Sequence, residues 1–326
     1  MMHSRRLAGQ DVGAIGLGCM SFGGAYGATT EADSFACMAR AVDLGVSYWD
    51  VAERYGDGLC EEVMGKFLRQ SNAQVSIATK AGIMSKPTRH ARNDEATLRA
   101  ALEGSLRRLG REHVELFYIH RRDQALPIAD VMGTLTRFID EGKIGAIGFS
   151  EIAPSTLRQA HAIHPVAAIQ SEYSLWTRQP ELGMLQACAE LGVAFVAFSP
   201  LGRGVFADRA PDPAEFPPGD FRTGTPRFSA PDFATNMALI DPFRAFCADR
   251  GWSTASVAIA WVLAQGDHIL PIPGTRTAQN LNALAEAAAI TLNADDMAEI
   301  ARLMPVGFAH GERYSPAQWP NIENYC

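Results

Sequence analysis

A chain of 326 residues, 47% hydrophobic and 20% charged, is long enough for two ordinary domains or for one large α/β barrel with a full core. Its net charge of −7 argues against a nucleic-acid partner, which requires clustered Lys and Arg to neutralise phosphates. No apolar run approaches the roughly 18–20 residues of a membrane span, and Met1–Arg6 leads into no signal-peptide core. The expectation is a cytoplasmic enzyme or binding protein without a membrane partner. Its oligomeric state is not legible.

The hydrophobic pattern begins with a short hairpin, two small apolar runs between Leu7 and Leu17 around Gly9-Gln10-Asp11. Gly16-Leu17-Gly18 follows, but it lacks the third glycine of a dinucleotide fingerprint and does not open into a helix. Gly23, Gly24 and Gly27 predict a loop that another backbone or a ligand approaches closely. Alternation then sets in. Helices are predicted near Glu31–Leu44, Cys60–Leu68, Glu95–Leu109, Ile128–Glu141, Pro154–Ala162 and Glu181–Leu191. The strands between and after them are Val46–Asp50, Val75–Thr79, Val114–Ile119, Ile144–Phe149, Ala167–Ile169 and Ala194–Phe198.

A Pro- and Gly-rich stretch from Gly202 to Asp232 interrupts this rhythm, and loops of that length are commonly functional. Helices near Asn236–Arg250 and Ser253–Gln265 follow it, then a seventh strand, Ile269–Ile272. A helix Ala278–Ala287, an eighth strand around Ala289–Leu292 and a helix Ala294–Met304 complete the pattern, before an aperiodic tail, Pro305–Cys326. Eight short apolar strands with helices between them imply an α/β (β/α)₈ TIM barrel, with a short N-terminal hairpin, a long loop after strand six and an irregular tail. Residues 1–326 read as one barrel domain. Cys19, Cys37, Cys60, Cys188, Cys247 and Cys326 are scattered without metal-ligand spacing, so they read as small buried hydrophobes and no metal is expected.

Polar residues fall at the strand ends. Asp50, Lys80, His120, Ser150, Gln170 and Ser199 each sit at, or one residue past, the C-terminal end of successive strands, and in a barrel those ends converge on one face. Tyr55 follows the first of them closely. A phenol with a pKa near 10 is a poor acid at neutral pH. An ammonium about 4 Å away favours its anion by about 4 kcal/mol at an effective dielectric near 20. The expectation is that Lys80, held by Asp50, depresses the Tyr55 pKa while His120 donates to a carbonyl oxygen. No side chain supplies hydride, so a nicotinamide cofactor is implied.

The motifs Asp50-x-x-x-x-Tyr55-Gly56, Thr79-Lys80, Tyr118-Ile119-His120, Gly148-Phe149-Ser150, Gln170-Ser171-Glu172-Tyr173, Ser199-Pro200-Leu201-Gly202-Arg203-Gly204 and Ile272-Pro273-Gly274-Thr275 together resemble the aldo-keto reductase family. They are most similar to its bacterial, plant and fungal branch of pyridoxal reductases and aryl-alcohol-type dehydrogenases. The resemblance implies Tyr55 as general acid, Lys80 and Asp50 as the pair beside it, and His120 as the group that orients the carbonyl. It implies that Asp50, Ser150, Gln170, Gly18 and Met20 surround the nicotinamide, with Phe198 in the place of a stacking tyrosine. Ser199, Pro200, Leu201, Arg203 and Gly204 would wrap the pyrophosphate. Gly274, Thr275, Arg276, Gln279 and Asn280 would lie near the adenosine 2′-phosphate. Arg276, with no acidic residue between Gly274 and Asn282, favours NADP(H) over NAD(H).

Glu151 replaces a common asparagine, and Leu284 falls where an adenine-binding asparagine often lies. Phe22, Tyr26, Trp176 and Phe228 are the candidate pocket walls for an apolar or aromatic carbonyl substrate; Arg178, Arg222 and Arg227 are able to bind an acidic group but read rather as solvated surface arginines. The alternative reading is a non-catalytic nucleotide-sensing or channel-accessory subunit on the same fold.

Overall fold

The structure, a computed structural model, describes residues 2–319 and 322–325. The chain opens with β1 (Ser4–Leu7) and β2 (Gln10–Gly13), an antiparallel hairpin, and then β3 (Leu17–Gly18). Next come α1 (Glu31–Asp43), β4 (Tyr48–Asp50), α2 (Leu59–Ser71) and β5 (Ser76–Ala81). A small hairpin, β6 (Ile83–Met84) and β7 (His90–Ala91), precedes α3 (Glu95–Leu109) and β8 (Leu116–Ile119). The middle continues as α4 (Ile128–Asp140), β9 (Ile147–Ser150), α5 (Pro154–Ile163), β10 (Val166–Glu172), α6 (Met184–Leu191) and β11 (Ala194–Phe198). After the long loop lie α7 (Asp232–Asp249), α8 (Thr254–Leu263), β12 (Ile269–Ile272), α9 (Asn282–Ala289) and α10 (Ala294–Leu303).

The main sheet has eight strands in the order β3-β4-β5-β8-β9-β10-β11-β12, every pair parallel. Its two ends meet. The Gly16 amide donates to the Pro271 carbonyl at 2.9 Å and the Gly18 amide to the Pro273 carbonyl at 3.0 Å, which closes the barrel seam. The expected (β/α)₈ barrel is therefore present, but with a different membership. The strand predicted around Ala289–Leu292 does not exist: α9 runs to Ala289, and the chain passes without pairing to α10. The missing strand is Leu17–Gly18, which the sequence suggested as the end of the hairpin. The hairpin itself lies four residues earlier than its second run suggested, and its turn is at Ala8-Gly9, both with positive φ.

Two apolar layers result. Tyr48, Ala78, Leu116, Tyr118, Ala168, Val196 and Leu270 fill the barrel, with Leu7 and Val12 of the hairpin closing its N-terminal end. Arg5 pins that hairpin by donating to the Leu263 carbonyl at 2.8 Å, at the end of α8, and to the Gly266 carbonyl at 2.7 Å in the turn that follows. The larger layer lies between strands and helices. Cys19, Cys37, Cys60, Cys188 and Cys247 are buried free thiols, as expected, whereas Cys326 lies outside the described residues. Among the described residues no helix is long and apolar enough to cross a membrane.

The seam depends on Gly16. A Cβ there would lie 2.6 Å from Tyr48 Cδ1 and 2.9 Å from Ile272 Cγ2, so neither barrel edge has room for it. Gly16→Ala is expected to cost about 1–3 kcal/mol through overpacking. Urea denaturation measures this, and an unchanged midpoint would show that the seam yields.

Candidate active site

Strand register assembles the site. Asp50 closes β4, Lys80 lies on β5 opposite Tyr118 of β8, and Ser150 of β9 sits directly beside Gln170 of β10. His120 follows β8, its amide bonded to the Ala81 carbonyl at 2.8 Å. All these side chains face the barrel's C-terminal mouth, and Asp50, Lys80, His120, Ser150 and Gln170 are buried. Tyr55 reaches the same place from a tight turn in which Gly56, Asp57 and Gly58 all have positive φ. That turn packs backbone to backbone on the glycine loop: a Cβ on Gly56 would lie 2.9 Å from Gly23 Cα. The expected close approach at Gly23 is therefore to protein backbone.

Lys80 is the hub, with no exposed side-chain surface. Its Nζ donates to Asp50 Oδ1, to the Val51 carbonyl at 2.8 Å and to Tyr55 Oη at 3.2 Å. Asp50 Oδ2 accepts from Gln170 Nε2 at 2.7 Å and from Tyr48 Oη at 3.4 Å, and Tyr48 in turn meets Tyr118 Oη at 3.3 Å. Burial works against the Lys80 charge, but Asp50 and Tyr55 outweigh it and hold its pKa above the usual value. Burial pushes Asp50 up, opposed by Lys80, Gln170 and Tyr48. With three acceptors around the ammonium and three donors on the carboxylate, the pair is ionic.

Tyr55 corrects the expectation drawn from the sequence. Its burial raises the pKa, Lys80 lowers it, Asp50 raises it again, and the balance lies above the ordinary 10.0. The ammonium does not overcome dehydration of the phenolate. His120 stands edge-on to Tyr55, with ring centroids 5.8 Å apart and planes at 83°. Burial, then the cations Arg121, Lys80, Arg89 and Arg54, hold it well below 6.5, so the imidazole is neutral. Its buried Nδ1 has no partner among the described residues.

Around this centre the other expected residues divide. Gly18, Met20, Phe198 and Ser199 are partly exposed at the mouth, and Gly18 abuts Gly274, whose Cβ would lie 2.7 Å from the Gly18 carbonyl. Pro200 is buried, and Leu201 and Gly204 are partly so. Arg276, Gln279 and Asn280 are exposed beside Thr275, whose Oγ1 accepts from Asn280 at 3.1 Å. Arg276 reaches over to Gly27. Leu284 is buried in the core.

Arg203 differs from its expected place. Its guanidinium is buried, donating to Glu172 at 3.0 Å and to the Arg313 carbonyl at 2.8 Å. It is committed inside the protein. Trp176 and Phe228 are also buried, edge to face at 5.9 Å, and Phe22 is in the core. Of the four expected pocket walls only Tyr26 is partly exposed. Arg178 and Arg222 are not solvated but paired with Glu181 and Asp220, and Arg227 donates to Thr177 Oγ1 at 2.7 Å.

A second ionic layer escaped the sequence reading. Arg313 from the tail bonds Glu151 at 2.5 Å and Glu172 at 3.5 Å, and all three side chains are buried. Burial alone raises Glu151, but Arg313 holds it below the usual carboxylate value. Glu323 extends the strap, accepting from Arg122 at 2.8 Å and from the Ala153 amide at 2.8 Å. Arg121 donates to Ser150 Oγ at 3.0 Å and to Tyr314 Oη at 3.4 Å. The only sequence hint was Glu151 itself, a carboxylate at a strand end. Its partner lies 162 residues away, beyond any spacing rule.

Residues 14–304 match the model of the Aldo/keto reductase family. The chain is 35% identical over 327 aligned residues to the aldo-keto reductase yakc [NADP(+)] of Schizosaccharomyces pombe, covering 98% of this chain and 96% of that protein. The chain belongs to the aldo-keto reductase family. Among solved structures, the glycerol dehydrogenase AKR11B4 of Gluconobacter oxydans superposes with a TM-score of 0.84 at 26% identity, over 92% of this chain and 94% of that one. An aldo/keto reductase of Klebsiella pneumoniae, solved with NADP and acetate, does so with a TM-score of 0.73 at 25% identity, over 97% and 99%. Membership makes this chain an oxidoreductase.

The tail's contribution is measurable. Arg313→Met leaves Glu151 buried without its direct cation, and breaking such a pair is expected to cost about 3–5 kcal/mol. Chemical denaturation reads the loss, and a change under about 1 kcal/mol would mean that Arg121 and Arg203 suffice.

Proposed function

We propose that this aldo-keto reductase reduces aldehydes or ketones to alcohols with NADP(H), and that Tyr55 is its general acid. The observation that carries the reading is the Tyr55 hydroxyl 3.2 Å from the buried Lys80 ammonium, beside a neutral His120 at the barrel mouth. When bound, NADP(H) supplies the hydride that the carbonyl carbon accepts.

The residues present fit that cofactor. Ser150 and Gln170 stand side by side for a carboxamide, and partly exposed Phe198 offers an aromatic face. Gly18 and Met20 lie at the same mouth. Ser199, Pro200, Leu201 and Gly204, which follow β11, would hold the pyrophosphate. Gly274, Thr275, Gln279 and Asn280 carry exposed Arg276, the cation available to a 2′-phosphate. The yeast relative named for NADP(+) and the neighbour solved with NADP support the same choice. Asp50 acts by holding Lys80 rather than by exchanging protons, and a single barrel unit carries the whole set.

Chemistry then follows from the chain's own groups. Neutral His120 has an N–H to offer the carbonyl oxygen, which fixes its position and polarises it. Tyr55 Oη passes its proton to that oxygen as negative charge develops. Lys80 stabilises the tyrosinate left behind. The intact set of Asp50, Tyr55, Lys80 and His120 weighs against the nucleotide-sensing alternative. A Schiff-base role for Lys80 is disfavoured by its raised pKa and its three acceptors.

Tyr55→Phe removes the proton donor and is expected to lower aldehyde reduction by about 10²–10⁴-fold, while NADPH binding, read by fluorescence titration, stays nearly intact. Unchanged turnover would sink the assignment.

The pH dependence has a definite sign. His120, depressed well below 6.5, stays neutral as pH falls toward 6, and Tyr55, raised above 10.0, stays protonated as pH rises. The kcat/KM for reduction is expected to be level from about pH 6 to about pH 9. A sigmoidal step near neutrality that disappears in His120→Gln would contradict the neutral imidazole.

A further inference from the structure

Three arginines come from the loops that follow three neighbouring barrel strands. Arg54 follows β4 and adjoins Tyr55, Arg89 sits in the β6–β7 hairpin after β5, and Arg121 follows His120 after β8. The loops after β5 and β8 are tied together. Asn93 Nδ2 donates to the Arg121 carbonyl at 3.1 Å, Asn93 Oδ1 accepts from the Asp123 amide at 2.6 Å, and Arg92 N donates to the Gly82 carbonyl at 3.1 Å. All three are among the cations that hold His120 below its usual value.

Carboxylates do not balance this charge. Lys80 is matched by Asp50, and Arg313 and Arg203 are matched by Glu151 and Glu172. Arg89 makes no hydrogen bond or ion pair among the described residues, and its buried Nε has no partner. Arg121 is buried and donates to neutral oxygens of His120, Ser150 and Tyr314, with its Nε also unpaired. Glu151 lies close enough to feel Arg121, but its direct bonds go to Arg313. Arg54 pairs with Asp57, whose side chain is 83% exposed, so water screens that bridge. The other acid near Arg54 is Glu53, which burial and Glu61 push up to about 7.

A buried or half-buried cation without a partner is costly, and several together favour an anion. They stand on the Tyr55–His120 side of the mouth. Most segments assigned to the cofactor follow β3, β9, β10, β11 and β12, although Asp50 ends β4 and Arg121 reaches Ser150. We propose that the site takes aldehydes or ketones carrying an anionic group, a carboxylate or a phosphate, which Arg89 and Arg54 grip while Arg121 supports them from behind. This rests on the reductase reading and narrows its substrate class. It shifts emphasis from the apolar or aromatic walls suggested at Phe22, Trp176 and Phe228, which the fold buries.

The test compares kcat/KM for matched substrates in the NADPH-saturated enzyme: 4-carboxybenzaldehyde against 4-methylbenzaldehyde, and glyceraldehyde 3-phosphate against glyceraldehyde. Wild type is expected to prefer the charged member of at least one pair, and the pair that shows it tells carboxylate from phosphate. In Arg89→Met that preference ratio is expected to fall by about 10- to 100-fold, through KM, with partial recovery in Arg89→Lys. Equal use of charged and neutral members by wild type, or an unchanged ratio in Arg89→Met, would overturn the proposal while leaving the reductase reading intact. So would a rise in the NADPH Kd of Arg89→Met that accounts for the whole effect, since the arginine would then serve the cofactor. Calorimetric titration of benzoate and of inorganic phosphate into the NADP⁺-loaded protein is independent of turnover. Binding of either that weakens in Arg89→Met supports the anion site even if no aldehyde is reduced, and binding of neither counts against it.

Discussion

A lysine ammonium with no exposed surface survives inside a protein only if its lost hydration is replaced group by group. Lys80 has that replacement in Asp50, the Val51 carbonyl and Tyr55, and Asp50 has its own in Gln170 and Tyr48. The pair therefore constrains much of the barrel. Asp50 must end β4, Lys80 must point inward from β5, and Gln170 must arrive from β10 across the barrel. A one-residue slip of β5 would turn Lys80 into the helix-facing layer and leave Asp50 charged and alone. Tyr48 and Tyr118 join the barrel's apolar filling to this polar floor, so the packed interior and the site share one register.

The tail does for the mouth what the hairpin does for the barrel's other end, by different physics. Leu7 and Val12 close the bottom through apolar contact, with Arg5 holding helix-end carbonyls. At the top Arg313 and Glu323 bind strand-end acids and amides, and Tyr314 meets Arg121. Ionic contacts of this kind set position more than they add stability, because dehydration consumes most of the Coulomb gain. They fix Glu151, which has a positive φ, and through it the segment immediately after Ser150.

How far the sequence could be read depended on distance along the chain. Strand ends carrying single polar residues were legible, because a β/α rhythm places Asp50, Lys80, His120, Ser150 and Gln170 on one face without further information. Leu17–Gly18 was not, since two residues carry no periodicity and only the closed seam makes them a strand. Ile290-Thr291-Leu292 has strand-like residues, but the place beside β12 is taken by Gly16–Gly18, so the segment has nothing to pair with. Contacts joining distant segments, such as Arg313 with Glu151 or Arg203 with Glu172, leave no trace in local spacing. Arg203 is the example: a guanidinium in a glycine loop reads as free until its buried partner is seen.

Tyr55 shows why a correct set of neighbours still gives the wrong sign when only Coulomb's law is applied. Its distance to Lys80, 3.2 Å, is as short as the sequence argument required, yet the phenol is harder to ionise than in water. Dehydration penalises the anion at rest, while the ammonium acts in full only when negative charge is present on the oxygen. In the proposed reduction that charge appears during proton transfer, which is when Lys80 becomes most valuable. A resting pKa above 10.0 therefore suits the proposed proton donor: Tyr55 would hold its proton at neutral pH and meet a preorganised cation on releasing it. The reverse reaction, alcohol oxidation, would need the tyrosinate as base, and the same burial that favours donation works against it.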